Sequence, residues 1–395
     1  MLVHMPRVAI IGGSIGGLTA ALVLRDLGCD VQVFERSTNK LEARGAGIGL
    51  HPVTTRYFRE RTTMPLDQVA IELPWLKFVN ATGEDIYAER MNYRFSSWNT
   101  IYRNLLASFE KERYHLNSDV LDFEQDDLGV SIFLANGSRH RVDLLVCADG
   151  IRSRSRQKLL PHAQAKYAGY VAWRATLLES QLKTKHFEQL KEAITYCLLP
   201  AGHVLVYPIP SLNGELAPGT RLSNLVWYHN YDQRALDDLM TDTEGQRQSL
   251  SLAPGHVRDC HISWARQYAS DHMAPALAQV MTDTKTPFIQ VIYDIAIDKM
   301  AFGRIVLIGD AAFAVRPHAA AGTAKACADG WGLSEALQSC NGDIKPALAE
   351  WESNQIALGR QLLDRTRLMG DRSQFKHDWL PGDPTLKLGL YGPGR

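Results

Sequence analysis

A glycine-rich turn held between an apolar strand and an apolar helix constrains this chain more than any other feature. Residues 7–11 form the short apolar run of a buried parallel strand, and residues 18–27 place Ala20, Val23, Leu24 and Leu27 at i, i+3, i+4 and i+7. Between them lies Ile11-Gly12-Gly13-Ser14-Ile15-Gly16-Gly17. Gly28 stops the helix, and a second strand over 31–34 ends in Glu35, 23 residues after Gly12. This spacing predicts a β-α-β nucleotide fold in which the acidic residue binds a ribose hydroxyl, with Arg36 beside it as a further cofactor contact. Gly12 suits the tight turn and Gly17 the close packing of helix on strand. Ser14 stands where the pattern has its second glycine, so its side chain must turn aside or donate its hydroxyl to a phosphate oxygen. Free amides at the helix N-terminus favour an anion in either case. The turn alone does not separate FAD from NAD.

Two later motifs make that separation. An apolar strand over 144–148 runs into Asp149-Gly150, followed by Ser153 and Arg156, and a strand over 305–308 runs into Gly309-Asp310, followed by Pro317, Gly322 and Asp329. In order and spacing these segments resemble the class A flavoprotein aromatic hydroxylases. The resemblance implies an α/β fold, with a Rossmann-like FAD-binding domain, a β-sheet substrate domain and a C-terminal helix. It implies that Asp149 and its neighbours touch FAD and a transient NAD(P)H, that Asp310 binds the ribityl chain, and that Pro317 and Gly322 flank the flavin. Arg103 matches the family arginine that opens a helix and contacts the cofactor, and Arg44 is a second candidate. Ala320 stands where many relatives have a glycine. The implied activity is that of an FAD-dependent monooxygenase that consumes NAD(P)H and O2 and hydroxylates an electron-rich aromatic through a flavin C4a-hydroperoxide.

Further likeness over 167–174, 207–210 and 316–322 implies a small hydroxylated ring such as a hydroxypyridine as substrate. The alternative is a hydroxybenzoate-type hydroxylase, including a decarboxylating one, for which Arg174 or Arg316 would face a carboxylate. The Trp-x-Trp-x-Ile-Pro stretch of flavin halogenases is absent, and the persistence of all three cofactor motifs beside a full substrate region disfavours a non-catalytic flavoprotein.

Hydroxylation of this kind needs a proton acceptor near the substrate oxygen. His318 follows Pro317 and is the first candidate for base or substrate ligand; the competing reading is a histidine that only shapes the turn. Tyr207 is the second, on a strand face shared with His203. Trp227, Tyr228 and His229 lie on another pocket strand, where core packing is the simpler role, and His51 is read as a surface residue.

Length and composition bound the rest. The 395 residues, 45% hydrophobic, suffice for two lobes: FAD-binding over 1–165 and 300–395, the latter with a long helix over 347–368, and substrate-binding over 166–299. Strands are expected over 170–177, 193–199, 203–209, 222–230 and 288–297, whereas the charge-rich 179–192 reads as a solvated helix or loop. Lys plus Arg equals Asp plus Glu at 43 each, so no global field recruits nucleic acid or an anionic membrane. No apolar run approaches bilayer length and no secretory signal opens the sequence. The six cysteines show neither CxxC nor metal-ligand spacing, which fits a reducing, cytoplasmic setting without a metal. A homodimer is compatible with all of this.

Overall fold

The computed structural model describes residues 5–41 and 46–395, so Arg44 lies outside the described residues. Its first layer is a six-stranded sheet in the order Ala301–Phe302, Ile305–Leu307, Leu144–Cys147, Arg7–Ile11, Asp30–Phe34, Tyr114–His115. All neighbours pair in parallel except the first two. The central strands are apolar and almost wholly buried, as strands covered on both faces must be. Helices Ile15–Asp26 and Gly322–Ser339 pack side by side, so close at Gly330 that a Cβ there would meet the Ala20 backbone nitrogen at 3.0 Å. Three adjacent parallel strands, ending at Ile11, Cys147 and Leu307, therefore deliver the three motif turns to one edge of the sheet. That edge is where open α/β sheets bind ligands.

A nine-stranded sheet forms the second layer, and its neighbours are antiparallel apart from Ala193–Leu199 beside Ile71–Val79. Three of its strands, Gly47–Leu50, Ile71–Val79 and Asp85–Ser97, come from the first hundred residues, which a division of the chain at 165/166 leaves with the dinucleotide half. Side chains alternate between its two faces. Val171, Trp173, Val204, Val206 and Trp227 pack under helices Asp259–His272 and Pro275–Asp283, while Tyr170, Ala172, Leu205, Tyr207 and Tyr228 belong to the opposite face. A small antiparallel sheet, Val120–Asp126, Gly129–Leu134 and Arg139–Val142, flanks the first layer.

The charge-rich segment 179–192 is not simply solvated. Glu179 is buried and takes Arg221 Nε at 3.1 and 3.0 Å, Arg221 Nη2 at 2.9 Å and the Gly219 amide at 2.7 Å. Its partner lies 42 residues away, so charge counting along the sequence misses the pair. Arg221→Met strands a buried carboxylate, and urea unfolding is expected to show a loss of about 3–5 kcal/mol.

The closing helix, Ile344–Asp371, is longer than the expected 347–368 and passes into a π-turn, Arg372–Lys376. Residues 377–395 then fold back across the second sheet. The Gly389 amide donates to the Ala319 carbonyl at 3.2 Å, Tyr93 donates to the Leu388 carbonyl at 3.1 Å, and Arg365 donates to the Gly389 carbonyl at 2.7 Å.

Candidate active site

Two adjoining cavities of about 420 and 440 Å³ lie between the layers and share Ser14, Gly47, Trp98, Gly150, Arg174 and Gln290 in their walls. The second runs from the shared wall past Gly12, Glu35, Arg36 and Asp149. The first runs past Gly309, Asp310, Pro317, Gly322 and His318 to the pocket face of the nine-stranded sheet. Among the described residues, all the cofactor positions read from sequence except Arg103 border one trough.

Each motif turn is held by its own side chains. Glu35 accepts the Gly13 and Ser37 amides, both at 2.9 Å, which ties the end of the second strand to the glycine turn. The Asp149 carboxylate accepts from the Ser153 hydroxyl at 2.7 Å and the Ser155 amide at 3.1 Å. Arg156, also buried, donates to the carbonyls of Ile151, Asp310 and Ala311, clamping the mid-chain turn onto the late one. Asp329 accepts the Gly309 amide at 2.8 Å and pairs with Lys325 Nζ at 2.6 Å, both side chains fully enclosed. Asp310 is accessible yet surrounded by protein, so it opens onto the cavity. Burial raises its carboxyl above the ordinary value against the opposing charges of Lys325 and Arg156.

These walls fit FAD. Ser14 caps no amide of its own helix and lines both cavities, so its hydroxyl and the helix N-terminal amides remain available to a pyrophosphate. Close backbone approaches leave no room for larger residues: a Cβ on Gly17 would collide with the Gly12 carbonyl, and one on Gly49 would meet Ala320 Cβ at 2.9 Å. Ala320 itself holds the left-handed φ of 53°, the conformation that glycine adopts freely. Arg103 stands apart: it sits in the helix Trp98–Ala107, donates to the Leu212 carbonyl at 2.7 Å and borders neither cavity. Arg36 is exposed at the rim.

The pocket face is aromatic with few polar groups. His318 is buried, with Nε2 2.7 Å from the Tyr170 hydroxyl and Nδ1 without a partner among the described residues. Its ring lies 4.7 Å from that of Tyr228 and 5.5 Å from that of His203. His203 Nδ1 is 2.5 Å from the Ser373 hydroxyl. Tyr207 lines the same wall, with its ring 4.6 Å from that of Phe95. Trp227 and His229 pack instead on the far face with Trp264 and Tyr268. His51 is no surface residue: it is buried, and its Nε2 contacts the Ala320 carbonyl at 3.0 Å.

Sequence reasoning missed the pocket contributions of the C-terminal residues. The Trp379 ring lies 4.9 Å from that of His203 and 5.9 Å from that of His318, tilted to both, and Leu388 lines the cavity. No local pattern in 377–395 announces these long-range contacts.

Burial pushes His203 down to about 3, and burial with the charges of His203 and Arg316 puts His318 well below its usual value. Both rings are therefore neutral at neutral pH. Below about pH 6.5 the unfolded chain binds protons that the folded one refuses, so stability falls as pH drops from there; the share of His203 runs toward about pH 3, at about 1.4 kcal/mol per pH unit, and His318 adds to the fall in the same direction. Thermal unfolding followed downward from neutral pH should show this fall. His203→Asn should flatten it by one ring's share.

Comparison with known proteins is consistent with this geometry. The family described as "Pyridine nucleotide-disulphide oxidoreductase" matches residues 7–61, and "FAD binding domain-like" matches 167–294. The 2,6-dihydroxypyridine 3-monooxygenase of Paenarthrobacter nicotinovorans is 36% identical over 391 residues, covering 97% of this chain and 96% of that protein. The chain belongs to the FAD-dependent aromatic monooxygenases. The solved structure of 2,6-dihydroxypyridine-3-hydroxylase from Arthrobacter nicotinovorans superposes on this monooxygenase with a TM-score of 0.92 at 34% identity, covering 98% of this chain and 97% of the other. A more distant member, the 3-hydroxybenzoate 6-hydroxylase of Polaromonas naphthalenivorans, is 25% identical over 383 residues, 92% of this chain and 87% of that protein. Like its family, this monooxygenase takes FAD as cofactor, NAD(P)H and O2 as co-substrates and an aromatic substrate. Among the described residues no helix is long and apolar enough to cross a membrane.

Proposed function

We propose that this monooxygenase hydroxylates a small dihydroxylated pyridine in the first cavity, with Gly12, Ser14, Gly17, Glu35, Arg36, Asp149, Gly309, Asp310, Pro317 and Gly322 holding FAD along the trough. Arg103 is assigned to the cofactor only through the rearrangement of its side chain on binding. The observation that carries the substrate reading is the pair His203 and His318 beside Tyr207 and Tyr228 in a largely aromatic chamber, with Arg174 and Gln290 where it joins the second cavity. When bound, FAD supplies the redox and oxygen chemistry. The chain's own task is to exclude water, orient the ring and manage its proton.

In the tautomer protonated at Nε2, His318 donates to the Tyr170 oxygen and leaves Nδ1 as an acceptor. A neutral imidazole can accept a hydrogen bond from the substrate hydroxyl; burial opposes its protonation, so it takes that proton only because the negative charge that grows on the adjacent ring raises its basicity. Tyr207 presents a second hydroxyl to the ring; burial raises its phenol, so it stays protonated and donates. A hydroxybenzoate would also find a cation here, because Arg174 faces the cavity while Arg316 is already committed to Asp294 at 3.0 Å and Asp371 at 2.7 Å.

The test is a screen of hydroxypyridines and hydroxybenzoates for substrate-stimulated NAD(P)H oxidation, with product mass read out. Gain of one oxygen on a hydroxypyridine supports the proposal, and loss of CO2 with gain of one oxygen on a hydroxybenzoate replaces it. No second glycine motif supplies a nicotinamide site, so NAD(P)H docks transiently and substrate should speed flavin reduction. Stopped-flow traces with equal rates in the presence and absence of substrate would contradict this. The proposed setting is the cytoplasm, a reading supported by six cysteines that are all unpaired, as a reducing compartment would keep them. A homodimer is the proposed assembly, to be checked by light scattering.

A further inference from the structure

Arg174 is the least satisfied charged group in the chamber. It lies on the strand Lys166–Leu178, its register fixed by pairing with Val226 on one side and Phe288 on the other, and only 8% of its surface is exposed. Its Nε and Nη2 meet no acceptor among the described residues. Every other deeply buried arginine has partners: Arg156 holds four carbonyls, Arg221 holds Glu179, and Arg316 holds two carboxylates. The side chain lines both cavities at their junction, with Gln290 from the neighbouring strand Phe288–Asp294. Its charge acts on the phenols of Tyr207 and Tyr228, drawing both down against the effect of burial, so it is felt across the pocket face. A guanidinium enclosed without a counter-charge is costly, and the cost is removed when an anion with two acceptor lone pairs arrives.

We propose that Arg174 binds the anionic oxygen of the aromatic substrate, either an ionised ring hydroxyl or a ring carboxylate, so that the ring enters the chamber already charged. The proposal rests on the assignment of the first cavity to the substrate. It gives Arg174 a role distinct from that of His318. Arg174 selects and orients the anion, and the ionised oxygen enriches the ring in electrons, while His318 meets the remaining hydroxyl.

The test compares two rings of the same shape at neutral pH, read by perturbation of the visible flavin spectrum of the holoenzyme. 2,6-Dihydroxypyridine ionises readily, whereas resorcinol stays neutral as an ordinary phenol. Wild type should prefer the pyridine, and Arg174→Gln should lose about 10–100-fold in affinity for it while binding resorcinol as before. Arg174→Lys should recover part of the loss. Equal affinity of wild type for the two rings overturns the proposal even if the glutamine variant does not fold. So does a lowered flavin midpoint potential in substrate-free Arg174→Gln with unchanged pyridine affinity, because the arginine then serves the reduced cofactor. If wild type ignores the pyridine but binds 3-hydroxybenzoate, and Arg174→Gln abolishes that binding, the role of Arg174 stands and the hydroxypyridine assignment falls. Binding of neither anion overturns the role of Arg174.

Discussion

Gly17→Ala is expected to yield protein with little or no flavin. The added Cβ would fall on the carbonyl oxygen of Gly12, which already holds φ at +99° to make the turn, and a Cβ on Gly12 would in turn strike the Ala148 carbonyl. Backbone cannot yield as a side-chain tip does, so the first helix must withdraw from the strand Arg7–Ile11. Overpacking of this kind costs about 1–3 kcal/mol, and the displaced helix carries with it the amides that face the pyrophosphate. FAD affinity should fall about ten- to a hundredfold, together with a lower thermal midpoint. Gly137→Ala is the internal comparison. Gly137 holds φ at +83°, borders neither cavity and has no atom within 4 Å of an added Cβ, so only conformational strain is introduced and most of the flavin should remain. Flavin released by heat, per mole of purified protein, reads both variants. Wild-type flavin content in Gly17→Ala would contradict the packing argument.

The second large effect is expected at His318. Glutamine there keeps a hydrogen-bonding group within reach of Tyr170 but cannot take up a proton. Product formation should drop about 10²–10⁴-fold, the usual range for loss of a positioned acid–base group. Flavin content should be retained, because none of the residues proposed to hold FAD is changed. NAD(P)H oxidation should continue and end in peroxide, so product per NAD(P)H consumed is the informative ratio. If His318 only shaped the turn after Pro317, the ratio would stay near that of wild type while the thermal midpoint fell.

What was legible in the sequence was local. Gly12, Gly150 and Gly309 all hold positive φ after short buried strands, and such turns announce themselves through glycine and the apolar run before it. The alternation that set His203 beside Tyr207 also survives, since both line the cavity while Val204 and Val206 face the other core. The strands over 193–199 and 222–230 match residue for residue because clear turn signals bound them. Long-range pairing was not legible. Glu179 reads as a surface charge until Arg221 arrives, and His51 reads as exposed until the Ala320 carbonyl closes over it. The helices Asp259–His272 and Pro275–Asp283 cover the back of the sheet without strong apolar periodicity in the first of them, where only Ile262, Ala265 and Ala269 are buried. The contributions of Trp379 and Leu388 depend on a tail folding back over 60 residues and more after the turn it covers.

The central claim is that a single trough joins a flavin to a chamber for a small aromatic anion. Titration of the purified holoenzyme with 2,6-dihydroxypyridine, followed through the visible flavin spectrum, tests it most directly. The expected result is a saturable spectral change at one ring per flavin, shifted to about 10–100-fold higher ligand concentration in Arg174→Gln. A protein that takes up no FAD, or a bound flavin whose spectrum is blind to every aromatic tried, would contradict it.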